Sequence, residues 1–165
     1  MIRQSVLKET YTMLEEARMT LWLEIVQHEA LEGPLEPDKG PLIDQTVQVE
    51  KENDRVKITI KDILPRTQDM IKKTIMRNYW YTLMNHVLQK VNVHYDAIIL
   101  TLKIFYPTRN SWDVDNRPVK FIIDSLRYNR VIADDSWDKL GLQILGGYDP
   151  DNPRTEIIIE PMPCF

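Results

Sequence analysis

The chain has 165 residues, 43% hydrophobic and 28% charged, which suits one ordinary domain with a buried core and excludes a disordered tail. No apolar run approaches the ~20 residues of a membrane-spanning helix, and Arg3, Lys8, Glu9, Glu15 and Glu16 make the N-terminus unlike a secretory leader. The single cysteine, Cys164, excludes a disulfide framework and makes cytoplasm the expected compartment. The net charge of −4 argues against a nucleic-acid partner, but its distribution is uneven: residues 1–53 carry five basic and eleven acidic side chains, residues 54–165 sixteen and fourteen. Such asymmetry is a reason to look for a polyanionic ligand.

In chain order, the first 31 residues read as a helix, with Val6, Leu7, Leu14, Leu21 and Ile25 at helical spacing. Gly33, Pro34, Pro37, Gly40 and Pro41 form a breaker-rich connector, and Thr46 to Val49 is a candidate short strand. A boundary near residue 53 separates an accessory segment (1–53) from a main domain (54–165). Val56, Ile58 and Ile60 alternate with Lys57, Thr59 and Lys61, the pattern of a half-buried strand. Thr67 to Lys90 follows as a helix, with Thr67 as N-cap and Ile71, Ile75, Tyr79, Leu83 and Val87 on one face. Tyr95 to Tyr106 is a long strand closed by Pro107. Asn116 to about Tyr128 is a second helix with Val119, Ile122, Ile123 and Leu126 inward. Leu140 to Leu145 and Thr155 to Ile159 are strands expected to form a hairpin through the loop that starts at Gly146. The order β-α-β-α-β-β predicts an α/β (α+β) fold: a small mixed sheet with two packed helices, plus the N-terminal helix.

Two carboxylate pairs stand out. Asp113 and Asp115, at i and i+2 in an extended segment, point to the same side. Asp134 and Asp135 follow the helix that Asp115 introduces. If the pairs converged they could hold a hard cation such as Mg²⁺, which polarises a phosphoryl oxygen and activates water, while Lys120 offset charge on the phosphate. Residue types alone leave other readings open. Asp115 or Asn116 suits a helix N-cap, Asp134-Asp135 a solvated turn, and Lys120 with Asp124 an i, i+4 pair. A calcium loop fails, because Arg117 and Pro118 stand at its fifth and sixth places.

The run Asp113-Val114-Asp115-Asn116, then Lys120 to Leu126, then Val131-Ile132-Ala133-Asp134-Asp135-Ser136 resembles the RusA family of Holliday junction resolvases. The likeness is strong over Asp113 to Glu160, looser back to residue 54, and does not include residues 1–53. It implies a homodimeric endonuclease that resolves four-way DNA junctions by paired cleavage with Mg²⁺ or Mn²⁺. By position, Asp113, Asp115 and Asp135 look like the metal-site carboxylates, with Asp134 beside them, and Lys120 is similar to the family's essential lysine. Lys120 follows Asn116 by four residues where the family pattern has three, so Arg117 is the alternative cation.

For DNA contacts the candidates are Lys72, Lys73 and Arg77 on the first helix of the main domain, and Arg109, Arg117, Arg127 and Arg130 around the carboxylates. Trp112, Tyr79, Trp80 and Tyr81 are read either as stacking platforms for unpaired bases or, as such aromatics more often are, as core or interface. The acidic N-terminal helix is a candidate surface for a protein partner. Two other functions compete with junction resolution. One is a nuclease of the same fold acting on other branched DNA; the other is a non-catalytic DNA-binding or protein-interaction module in which the aspartates are caps and turns.

Overall fold

The computed structural model describes residues 3–65, 72–111 and 113–163. The long N-terminal helix α1 spans Gln4–Glu32 and ends where Gly33 takes a positive φ of 93° and donates its N–H to the Glu29 carbonyl, a conformation that favours glycine. The Glu29 carboxylate then accepts the backbone N–H groups of Leu35 and Leu42, which pins the Pro/Gly-rich connector back onto the helix. The short helix α2 (Leu42–Thr46) leads into strand β1 (Val47–Glu52), which pairs antiparallel with β2 (Arg55–Ile60). Residues 53 and 54 are thus the turn of a hairpin.

Helix α3 runs Lys73–Val91 and stops at Asn92 in the left-handed region. The expected N-cap, Thr67, lies outside the described residues. Strand β3 is Ile98–Tyr106, α4 is Lys120–Tyr128, β4 is Leu140–Tyr148 and β5 is Arg154–Pro161. From residue 54 onward the order is β-α-β-α-β-β, as the sequence pattern requires, and the sheet is mixed.

Two expectations are corrected. The helix of the carboxylate region starts at Lys120, not Asn116. Arg117 is buried at 5% exposure, donates to the Leu64 carbonyl and sits 5.1 Å from the Tyr106 ring centroid. That anchor, together with a tight Val119 N–H to Arg117 carbonyl bond, holds residues 117–119 in a turn. The last two strands do not form a hairpin either. The sheet order is β1-β2-β5-β3-β4, so β5 lies between β2 and β3, while β4 pairs parallel with β3 on the outside. The physical reason lies in composition. Thr155 to Ile159 are all buried: Ile157 and Ile159 face the helices, and Glu156 on the other face takes its counter-charges from Lys57 of the neighbouring β2 and from Arg154.

All helix packing falls on one face of that sheet. Val56, Ile58, Ile60, Leu100, Leu102, Ile104, Ile157 and Ile159 are fully buried there, against Tyr79, Trp80, Leu83 and Met84 of α3 and Ile122 and Leu126 of α4. Met19 and Trp22 of α1, and Ile43 and Val47 after it, belong to the same core. The Trp22 indole donates to Thr46 Oγ1 at 3.1 Å and its ring meets Tyr79 edge-on at 4.7 Å. Beside it, Arg18 bridges Glu15 and Asp62 at 2.8 Å each, and burial pushes the Asp62 carboxyl up from the ordinary carboxylate range.

Candidate functional site

Asp113 and Asp115 lie in the exposed segment between β3 and α4, where the Asn116 N–H reaches the Asp113 carbonyl at 3.3 Å to close a turn. The second pair sits beyond the C-terminus of α4. Asp134 Oδ1 accepts its neighbour's backbone N–H at 2.9 Å, and Arg127 from the last turn of α4 reaches Asp134 at 3.7 Å and Asp135 at 3.4 Å. A guanidinium therefore supplies the positive charge that these two carboxylates face.

Lys120, at the start of α4, bonds Asp124 one turn on at 3.0 Å. This bond, with a smaller contribution from Asp135, holds the ammonium above its usual pKa. The Tyr81 hydroxyl donates to the other Asp124 oxygen at 3.2 Å. Tyr81, Asp124 and Arg127, with Asn85, Ser125, Tyr128 and Ala133, line a cleft of about 570 Å³ between α3 and α4. The i, i+4 reading of Lys120 and Asp124 describes this geometry. Among the described residues no group of three or more Asp, Glu, His or Cys side chains comes together as a metal site. Asp113, Asp115, Asp134 and Asp135, expected to hold Mg²⁺ or Mn²⁺, form no such group.

The basic candidates are dispersed. Arg117 is interior, as described above. Lys72 donates its backbone N–H to Glu16 at 2.7 Å, with its ammonium 4.0 Å from the same carboxylate. Lys73 and Arg77 are exposed on the first turns of α3. Arg109 lies 4.5 Å from the Tyr148 ring centroid. Arg130 takes a positive φ of 57°, and its carbonyl meets His94 Nδ1 at 2.6 Å; the carbonyl only accepts, so Nδ1 carries the proton. Tyr79 and Trp80 are core. Trp112 lies outside the described residues.

A different surface was missed in the sequence. Strand β4, Leu-Gly-Leu-Gln-Ile-Leu-Gly-Gly-Tyr, runs for nine residues on the outer edge of the sheet without a charge, a proline or a bulge in its pairing with β3. Leu142, Leu145 and Tyr148 are 47%, 39% and 47% exposed. Native proteins blunt such edges with charges, bulges or short strands, because the outward row of N–H and C=O groups is a template for another strand. The opposite edge, β1, is guarded: it carries Glu50, Lys51 and Glu52. The signal in the sequence was the absence of any charge from Leu140 to Tyr148.

No family model matches this chain, and no curated protein matches it. Solved structures similar to it include the periplasmic domain of MotB, with a TM-score of 0.41, 11% identity, and coverage of 71% of this chain and 69% of that one. Another is the cell wall anchor of the T6SS from Pseudomonas aeruginosa (TM-score 0.41, 14% identity, 72% and 90% covered). A protein described as MotB-like from Desulfovibrio vulgaris scores 0.39 at 12% identity, with 96% and 98% covered. None of the three is described as a resolvase, and membership of the RusA family, endonuclease activity on four-way junctions, and a homodimer on branched DNA are not sustained. Likenesses this slight carry none of those proteins' own properties to this chain. No described helix is long and apolar enough to cross a membrane.

Proposed function

We propose that this chain is a non-catalytic interaction module that takes up an extended segment of a partner protein along the free edge of β4. The observation that carries this reading is the uncharged nine-residue edge strand with Leu142, Leu145 and Tyr148 exposed. Strand addition draws affinity from main-chain hydrogen bonds and specificity from alternate side chains. Here Leu140 and Ile144 already pack against the core, so apolar residues opposite them would continue the buried layer across the new strand.

A second copy is a poorer fit than a different partner. Antiparallel self-pairing centred on Ile144 sets Gly146 opposite Leu142 and Gly147 opposite Gly141, leaving side chains without cross-strand neighbours.

The test uses acetyl-Glu-Val-Thr-Val-Thr-Val-Lys-amide as probe, with a backbone N-methylated version as control, and hydrogen exchange of the full chain as readout. The expected result is slowed exchange of β4 amides with the first peptide only, lost in the Leu142→Lys, Leu145→Lys double variant. Protection confined to other elements, equal protection by the N-methylated peptide, or a dimer through β4 in sedimentation would overturn the reading.

A further inference from the structure

At the end of the sheet where β3 and β4 begin and β5 finishes, a cleft of about 540 Å³ is lined by Tyr95, Asp96, Ala97, Trp137, Asp138 and Met162, with Pro161 and Pro163 at its side. Its frame is stitched together by backbone bonds. The Met162 N–H donates to the Ala97 carbonyl and the Ile98 N–H to the Lys139 carbonyl, both at 2.9 Å. Trp137 is 89% exposed, held at the tip of a turn in which Lys139 and Leu140 donate back to the Ser136 carbonyl at 2.9 and 3.0 Å. A tryptophan so placed leaves a large apolar ring in water, and nothing in its own core needs it there. Two carboxylates accompany it against one ammonium, that of Lys139 at 3.9 Å from Asp138. Asp138 accepts the Ser136 hydroxyl at 2.7 Å, a bond that stabilises its charged form, and Asp96 is exposed on the other lining segment.

An aromatic face beside carboxylates, on an apolar floor, is the chemistry that attracts an organic cation with an apolar stem. We infer that this cleft binds an arginine side chain carried by an extended peptide of a partner protein, with the guanidinium over the Trp137 ring and facing Asp96 and Asp138. Arginine supplies a planar cation that stacks on indole and donates to carboxylates together, and its methylene stem suits the floor of Ala97 and Met162. The site is independent of strand addition at β4 and stands or falls separately.

The experiment is a titration of the ¹⁵N-labelled full chain with acetyl-Ala-Pro-Pro-Arg-Pro-Ala-amide, and with the same peptide carrying citrulline, an uncharged isostere. The arginine peptide is expected to shift the Trp137 indole resonance and the amides of Ala97, Asp138 and Met162, and citrulline to weaken binding by about fivefold or more. Trp137→Ala, at an exposed position, should abolish the shifts with the fold intact, and Asp96→Asn with Asp138→Asn should weaken them to a similar extent as citrulline. Equal binding of the citrulline peptide, or shifts indifferent to Trp137→Ala, would overturn the inference. Absence of binding to the full chain overturns it as well.

Discussion

Gly147 shows how far one missing side chain reaches. A Cβ there would meet Phe105 Cδ1 at 2.6 Å. The ring has little room to retreat, because Arg154 lies 3.8 Å from its centroid and is itself held by Asp149 and Glu156. Gly147→Ala is therefore expected to cost about 1–3 kcal/mol, the usual size of an overpacking penalty, read as a lowered midpoint in urea. The carboxylates behave oppositely. Asp113 and Asp115 are exposed and no described metal group includes them, so Asp113→Asn and Asp115→Asn should each change stability by less than about 0.5 kcal/mol. Calorimetric titration with Mg²⁺ should be the same for both variants as for the parent chain; a heat lost in either would restore a metal role. At this scale the sequence made the aspartates conspicuous by spacing. It could not show that Arg127 faces one pair while the other stays apart, since that depends on where the loop Asn129 to Ala133 carries the chain. Trp137 was legible in principle: a tryptophan between Ser136 and Asp138, with no apolar neighbour, has nothing local to pack on.

Among the elements, helix α2 is tied to α3 by one carboxylate. Asp44 accepts from Lys90 at 2.6 Å and from His86 at 2.7 Å, and these bonds, Lys90 first, hold its pKa below the usual value. A depressed carboxylate stabilises the folded state above its unfolded pKa of about 3.9 and loses that contribution as pH falls through the lower folded value. Thermal melts of the parent chain and Asp44→Asn should accordingly differ near neutrality, the variant being less stable, and converge in acid. A gap that persists unchanged at low pH would mean the bonds to Asp44 are not its source. From residue 54 onward element identity was readable from periodicity, whereas the short helix α2 (Leu42–Thr46) was not. Alternation of Val56, Ile58 and Ile60 marked β2, and the apolar stripe through Tyr79, Leu83 and Val87 marked α3. The start of α4 was not readable, because a buried Arg117 bound to the Leu64 carbonyl delays it, and Leu64 lies far away in sequence.

For the molecule as a whole, the two edges of the sheet are the telling contrast. With β1 guarded by charge and β4 bare, self-association on partial unfolding is expected to proceed through β4. Leu142→Lys with Leu145→Lys should slow aggregation on heating while leaving the thermal midpoint within the range of a surface substitution. Light scattering alongside circular dichroism separates the two effects, and aggregation at the parent rate would place the hazard elsewhere.

What the amino-acid order determined unaided was the set and order of the elements from residue 54 and the class of fold, since each follows from spacings of two or about 3.6 residues within a short window. Tertiary structure alone decided that β5 inserts between β2 and β3, that β4 is left on the rim, and that the two aspartate pairs do not assemble into one group. Those outcomes rest on pairings between segments distant in the chain, and local periodicity carries no information about which strand becomes the neighbour of which.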